Sequence, residues 1–343
     1  MKILVLTSRY TATRDIISED FGRQMRLCEE LMKLGHSIDM FVADYRKHES
    51  KQVTMHGIDI TIRPFAIRSF FSFYKEFLEK ARSKKYDVLI ASSDPLWGVV
   101  GLKAKKQNLK MFFLYDLHDN YEPYDMYRIP FFRFFDRNAM KKADVITTIT
   151  HQLKKKIERV RSKNVFVIEN GVDRAIFRPL DKKKCRKDLK LPQDKRLIVY
   201  TGSIQRYEGV HRLLSMFSLL KKEKKDCILV IAGRYAKGEE KYIDVKQENV
   251  IYLGSLSQKD VAKVINAGDV AIVPYTNNWQ VTYGFPYKLV EYMACQVPIV
   301  ATRVGDNPKV LKNKQFCLCS PDSLEDMKQK TIKNMELGRI NYE

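Results

Sequence analysis

The sequence predicts an α/β fold of two similar domains, each a parallel sheet covered by helices on both faces. Three observations predict it. Apolar strand runs alternate with helix-period segments along the chain, as a buried parallel sheet requires. The rhythm breaks at residues 174–195, where Pro179, the charged run 181–184 and Pro192 mark a polar connector, and then it restarts. The chain has 343 residues, too many for one ordinary α/β core and comfortable for two.

The elements follow in order. Residues 1–7 form a continuous apolar run, a buried strand. Residues 21–34 read as an amphipathic helix with Met25, Cys28, Leu31 and Met32 on one face, ended by Gly35 as a left-handed cap. Strands are expected at 37–43, 57–65, 87–92, 111–117, 144–150 and 165–169, with a helix at 70–81. After the connector come strands at 196–200, 227–232, 250–253, 270–273 and 299–301, and helices at 210–221, 258–267, 287–295 and 323–337. The expected domains are 1–178 and 190–325, with 326–343 as a tail. Ligands of such sheets bind at the carboxyl ends of the strands.

Composition bounds the function. Apolar residues make up 45% of the chain, as in a globular protein. No run approaches the ~20 apolar residues of a membrane-spanning helix. The apolar stretch at the start is too short for a secretory leader, and Arg9 and Arg14 follow at once, so a cytoplasmic location is expected. The six cysteines lack paired spacing except Cys317-Leu-Cys319, which on a strand would share one face and could suit a metal. Reduced core cysteines are the plainer reading. The net charge of +21 divides almost evenly, +11 over residues 1–180 and +10 over the rest. Such a field attracts nucleic acid, anionic lipid or phosphorylated substrates, and a generally lysine-rich composition would produce it too. No base-stacking or groove-reading motif supports nucleic acid. The glycine fingerprint of a dinucleotide oxidoreductase is absent.

Two segments carry chemistry. Tyr200-Thr-Gly-Ser-Ile-Gln-Arg-Tyr-Glu-Gly209 joins the first strand of the second domain to a helix. Glycine at that turn lets backbone N–H groups approach an anion, and the helix N-terminus adds partial positive charge. A tight turn without a ligand needs the same glycines. Tyr283-Gly-Phe-Pro-Tyr-Lys-Leu-Val-Glu291 feeds a helix that places Lys288 and Glu291 three residues apart on one face. A carboxylate there suits a ribose diol, because it accepts two hydroxyl hydrogen bonds. A surface Lys–Glu pair would look the same.

Together with Leu34-Gly-His-Ser-Ile-Asp39, Tyr115-Asp-Leu-His-Asp119, Val167-Ile-Glu-Asn-Gly-Val-Asp173, Val230-Ile-Ala-Gly233 and Tyr252-Leu-Gly-Ser-Leu256, these segments occur in the order of one family. The chain resembles the retaining nucleotide-sugar glycosyltransferases of family 4. The resemblance implies a GT-B fold, two Rossmann-like domains with parallel sheets facing a central cleft. It also implies that the second domain binds a nucleotide-sugar donor, UDP-linked before GDP-linked, and that no cofactor or metal is needed. It assigns Glu291 to the ribose, Gly202 and Ser203 to the diphosphate, and Gly233 and Leu253 to the nucleobase surroundings. Tyr283, Gly284, Phe285, Pro286 and Leu289 fall in the donor-sugar and phosphate loop. His118, between Asp116, Asp119 and Asn120, falls where a histidine reaches the donor sugar.

The departures from the family are informative. Its glutamate eight residues before Glu291 is Tyr283, and its basic diphosphate residues are replaced by Ser203 and Glu208. Arg206 and Lys288 are the candidate replacement cations and, with His118, the candidate catalytic residues. The glycine pair after the first strand is absent, and Arg9, Arg14 and Arg23 line that region. With Asp119 they form the expected acceptor side, suited to a phosphorylated acceptor. Residues 68–75 and 127–136 mix aromatics with cations, which suits anionic lipid and a lipid-linked or glycan acceptor; helix packing against the sheet is the alternative. A nucleotide-sugar epimerase of the same fold is the rival enzyme. Family members end in helices that cross back to the first domain, so residues 326–343 are expected to be a short or truncated crossover.

Overall fold

A computed structural model describes residues 1–11, 14–20, 22–83 and 86–342 of the chain. The expected helix start at Phe21 and the final Glu343 lie outside the described residues. The chain divides into two compact units, residues 1–169 and 170–343.

The first unit runs β1 (Lys2–Ser8), a small hairpin of β2 (Tyr10–Thr11) and β3 (Arg14–Asp15), α1 (Arg23–Lys33), β4 (Ser37–Asp44), β5 (Lys51–Met55) and β6 (Ile58–Pro64). It continues through α2 (Phe70–Ser83), β7 (Val88–Ser92), α3 (Pro95–Gln107), β8 (Phe112–Leu117), α4 (Phe132–Lys142), β9 (Val145–Thr148), α5 (His151–Glu158) and β10 (Val165–Val167). Its sheet has the order β10-β9-β8-β7-β1-β4-β6-β5. Every pairing is parallel except β5 with β6. The near-continuous burial of β1 and β4 follows from helices on both faces.

Helix α3 was not legible as a period because it is apolar nearly all round, with Trp97, Val100, Leu102 and Ala104 buried. Its start is marked instead by Asp94, whose side chain accepts the Leu96 N–H at 2.8 Å, and by Pro95 in the first turn. Burial lifts the Asp94 carboxyl to about 6. Gly98 lets the helix settle on β8, since a Cβ there would meet the Tyr115 ring at 2.2 Å.

The second unit contains α6 (Lys182–Asp188), β11 (Arg196–Thr201), α7 (Val210–Glu223), β12 (Cys227–Ala232), β13 (Val250–Tyr252) and α8 (Gln258–Ala267). It continues through β14 (Val270–Val273), α9 (Trp279–Tyr283), α10 (Tyr287–Ala294), β15 (Ile299–Thr302), α11 (Asn307–Val310), β16 (Leu318–Cys319) and α12 (Leu324–Met335). The sheet order is β13-β12-β11-β14-β15-β16, parallel throughout.

Two stretches that read as connector and tail belong to this unit's body. The connector folds into α6, packs on α8, and buries Phe177, Cys185 and Leu191 in the core. Arg186 fastens it to Asp269 at 2.8 Å, and the same carboxylate accepts the Leu197 N–H of β11. At the other end α12 lies against α7 and β15, with Met327 and Met335 buried. Beyond it Arg339 donates to the Leu180 carbonyl and Tyr342 to the Val297 carbonyl.

The cysteine reading is corrected in part. All six are free and buried, and burial raises the thiols of Cys28, Cys295 and Cys319 to about 12. Cys317 and Cys319 do not share a face. Residues Gln315–Cys317 form a 3-10 turn, so strand alternation begins only at Leu318, and the two thiols enter different core clusters.

Arg9, expected on the acceptor side, is a buried structural hub with 2% exposure. Its guanidinium holds Asp15, Asp44 and Glu49 at 2.7–2.9 Å and ties the ends of β1 and β4 to the β2–β3 hairpin. Burial alone would raise the Asp15 carboxyl, but Arg9 and the Ile17 and Ser18 amides hold it below the ordinary value; backbone amides and Arg9 do the same for Asp44. Carboxyls depressed in the fold stabilise it above their unfolded pKa of about 3.9, and that stabilisation is lost as pH falls through the lower folded values. Arg9→Met leaves buried carboxylates unpaired and is expected to cost about 3–5 kcal/mol. Urea unfolding of the first unit at pH 7 checks this. A loss under 1 kcal/mol would show that the hub does not hold the loops.

Candidate active site

At the carboxyl end of the first sheet, β7, β8 and β9 present Ser92, Asp116 and Thr147 side by side. Asp116 is buried and accepts hydrogen bonds from Ser92 Oγ at 2.8 Å, Thr147 Oγ1 at 2.7 Å and Arg23 Nη2 at 3.1 Å. Burial would raise this carboxyl, but Arg23 and its other partners hold it below the ordinary value. Arg23 also donates to the Ile168 carbonyl at 2.8 Å. Arg23, expected to face an acceptor, therefore serves as the counter-ion of Asp116.

His118 follows on the same edge. Ser92 gives its hydroxyl hydrogen to Asp116, so its oxygen is left to accept from the Gln24 amide at 3.3 Å. The same amide lies 3.2 Å from His118 Nδ1. With the amide donating to Nδ1, the ring proton belongs on Nε2. Burial pushes the imidazole pKa down, and the Asp116 and Asp119 carboxylates only partly oppose it. The site holds a neutral histidine with an Nε2–H donor. Gln24 is a functional residue the sequence reading missed, because its partner is 94 residues away.

Asp119 accepts from the Tyr124 hydroxyl at 2.9 Å and from the Asn120 N–H at 2.6 Å. It borders a pocket of about 340 Å³ lined also by Tyr121, Asp136, Arg137 and Lys156. Tyr115 and Tyr127 both donate to Asp136 there, and burial lifts that carboxyl to about 6. Arg14, on the β2–β3 hairpin, pairs with Glu19 at 2.7 Å.

In the second unit the loops after β11, β12 and β13 stack. Gly202 N–H donates to the Ala232 carbonyl and Gly233 N–H to the Gly254 carbonyl, at 2.9 and 2.7 Å. Gly233 has a φ of 154°, and a Cβ on it would lie 1.7 Å from the Gly202 oxygen. Any side chain would push the turns apart. Gly209, at the start of α7, has a φ of 81° and a Cβ there would sit 1.8 Å from the Pro274 oxygen. Glycine is required at both positions.

Onto this platform α10 projects Lys288. Its side chain is 7% exposed, and its Nζ lies 3.0 Å from where a Gly202 Cβ would be. The ammonium pairs with Glu208, donates to Tyr200 Oη at 3.4 Å, and lies over the Tyr200 and Tyr275 rings at 4.9 and 4.8 Å. Tyr200 in turn donates to the Ser203 carbonyl at 2.7 Å. Tyr292, one turn further along α10, accepts the Thr201 N–H at 2.8 Å and pins the helix to β11.

Gly202, Ser203, Gly233 and Lys288 are thus brought together, with Leu253 on the neighbouring strand end and Glu291 half-buried one turn beyond Lys288. Tyr283 ends α9, and Gly284, Phe285 and Pro286 lead into α10. Two expectations are corrected. Arg206 is drawn off by Glu239, paired at 3.1 Å, and by the Tyr242 ring at 3.8 Å, so Lys288 is the candidate cation that reaches the turn. Leu289 is fully buried in the core, so its side chain offers nothing to a ligand.

Comparison with known proteins agrees with this layout. Residues 24–175 match the model described as Glycosyltransferase Family 4, and residues 195–336 match Glycosyl transferases group 1. The phosphatidylinositol N-acetylglucosaminyltransferase GPI3 subunit of Saccharomyces cerevisiae is 28% identical over 51% of this chain and 38% of its own. The D-inositol 3-phosphate glycosyltransferase of Mycobacterium marinum is 27% identical over 46% of this chain and 34% of its own. The matches therefore span less than half of these relatives' length. The Anabaena protein HepE, solved in complex with UDP, superposes with a TM-score of 0.75 at 17% identity, over 98% of this chain and 91% of its own. At that identity the likeness establishes the fold, which is GT-B. None of these proteins is an epimerase.

His118 is expected to titrate below pH 6.5 and to carry its proton on Nε2 at pH 7, measured by nitrogen-15 NMR of the labelled imidazole. A titration above 6.5, or a proton on Nδ1, would contradict the Gln24 assignment.

Proposed function

Because the chain carries a glycosyltransferase family 4 domain followed by a glycosyl transferases group 1 domain, we propose that it transfers a sugar from a nucleoside-diphosphate sugar, UDP-linked, to an acceptor with retention of configuration. One observation carries the reading. The Gly202 turn and Gly233 bring backbone close together beside a strand-to-helix junction, and a buried lysine sits on that turn. A diphosphate fits such a place, because it accepts hydrogen bonds from backbone amides and an ion pair from Lys288. The UDP held by the neighbour HepE supports the choice of base.

The chemistry follows from charge. Breaking the bond between the sugar and the β-phosphate leaves negative charge on the diphosphate. Lys288, whose side chain touches the Gly202 turn, is the proposed group that stabilises it, which lowers the barrier where the charge develops. This cationic group does the work that a divalent ion does elsewhere, so the proposed reaction is metal-independent. Glu291 takes the ribose hydroxyls, and the neutral Nε2–H of His118 is a hydrogen-bond donor for a sugar oxygen.

The acceptor is proposed to be lipid-linked, with its polar part at the pocket that Asp119 lines and the chain docked on the inner face of the cell membrane. Helix α4 supports this. Phe131, Phe134 and Phe135 are 78%, 68% and 50% exposed beside Arg133, Arg137, Lys141 and Lys142. Helix α2 adds exposed Ile67 and Phe71 beside Arg68 and Lys75, while Phe73 is core. Both helices pack against α3, so both stretches belong to one helical layer. Among the described residues no helix is long and apolar enough to cross a membrane. Exposed aromatics flanked by cations suit an anionic interface.

Two measurements check these readings. UDP at 100 times its dissociation constant adds about 2.7 kcal/mol of stability, a melting shift of roughly 5–11 °C at about 2–4 °C per kcal/mol. The shift is expected with UDP, not GDP, and is expected to be lost in Glu291→Ala. No shift with either nucleotide would overturn the donor reading. The chain is also expected to float with anionic liposomes at low salt and to lose that binding in Phe134→Ser/Phe135→Ser. Absence of salt-sensitive binding would overturn the membrane reading.

A further inference from the structure

We propose that Glu208 is an internal competitor for the phosphate-binding lysine, an arrangement that weakens the nucleoside diphosphate product more than the sugar donor. The inference rests on the donor-site reading above and adds to it a residue with a defined role.

The structure shows where that carboxylate goes. Glu208 ends the short turn Arg206–Glu208 and faces Lys288, its nearest cation, from across the Gly202 loop. The pair is well shielded, with 7% exposure of the lysine side chain and 15% of the glutamate. The Tyr200 hydroxyl, which donates to the Ser203 carbonyl, accepts from Lys288 Nζ at 3.4 Å beside the pair. Arg206, two residues earlier, is held by Glu239 and cannot stand in for Lys288 while that pair persists. The cation that touches the Gly202 turn is therefore itself paired with a carboxylate.

A diphosphate that uses Lys288 must displace this carboxylate or share the lysine with it. The repulsion depends on the ligand's charge. In a nucleotide sugar the β-phosphate is substituted on two oxygens, by the sugar and by the α-phosphate, and carries one charge; once the sugar leaves it becomes a terminal phosphate carrying nearly two. The product meets more repulsion from Glu208 than the donor does, and the return of Glu208 to Lys288 favours product departure. A Lys or Arg at 208 would hold the product instead.

The test is calorimetric titration of the full chain with UDP, with UDP-glucose, whose dissociation constant is expected to change less than that of UDP, with inorganic pyrophosphate and with uridine. Glu208→Gln is expected to lower the UDP dissociation constant tenfold or more, which is about 1.4 kcal/mol per factor of ten, to tighten pyrophosphate likewise, and to leave uridine unchanged. Glu208→Asp keeps the charge and is expected to show no gain, and Lys288→Met is expected to abolish the gain in the double variant. Equal or weaker UDP binding by a Glu208→Gln protein that melts like the wild type would overturn the proposal. So would a gain shared by Glu208→Asp. If neither the wild type nor Glu208→Gln bound UDP or pyrophosphate, the donor-site reading would fall with it; wild-type binding with no gain in Glu208→Gln overturns this proposal alone.

Discussion

The arrangement of the second unit depends on a backbone contact that no side chain could tolerate. Gly233 sits so close to Gly202 that the loops after β11 and β12 stack as bare main chain. Gly209 makes the same concession to the Pro274 carbonyl at the start of α7. Because these loops are thin, the lysine projecting from α10 can lie directly on the first of them. Tyr292 then fixes α10 to β11 through the Thr201 amide, so the distance between lysine and turn is set by rigid elements. Site geometry here is a consequence of close packing among parallel strands, short loops and one helix.

Buried charge is handled the same way in both units. Deeply placed cations have carboxylates for partners: Arg9 with Asp15 and Asp44, Arg23 with Asp116, Arg186 with Asp269, Lys288 with Glu208, and Lys328 with Glu223 and Glu325. Burying an unpaired charge is costly, so the fold assigns partners before any ligand arrives. Arg9 and Arg23 are fully spoken for and act as structural ties. Lys288 is different, because its partner lies on a loop beside the glycine turn and the lysine itself touches that turn.

This is also why the site was only partly legible in the sequence. Strands were easy to place, since β1, β4, β11 and β14 are rich in apolar residues, and the glycine turns are visible in composition. Ion-pair partners were not. Arg23 meets Asp116 across 93 positions and Lys288 meets Glu208 across 80, and no local pattern links them. Arg206 looked as available as Lys288 until Glu239 and Tyr242 were seen to hold it. Some helices were missed for a local reason: the buried residues of α3 spread over most of its surface, and α5 and α6 are short and rich in lysine. The aromatic stretch 70–74 divided into core Phe73 and exposed Phe71, a split that only the helix's position on the sheet decides.

The central claim is that the stacked loops of the second unit, with Lys288 upon them, hold the diphosphate of the donor. Amide hydrogen exchange with and without saturating UDP tests it most directly, because it locates the ligand without requiring the acceptor. The account predicts slowed exchange confined to residues 201–209, 233–236 and 283–291 of the second unit. Protection elsewhere in that unit with none at these loops, or no protection anywhere at saturation, would contradict it.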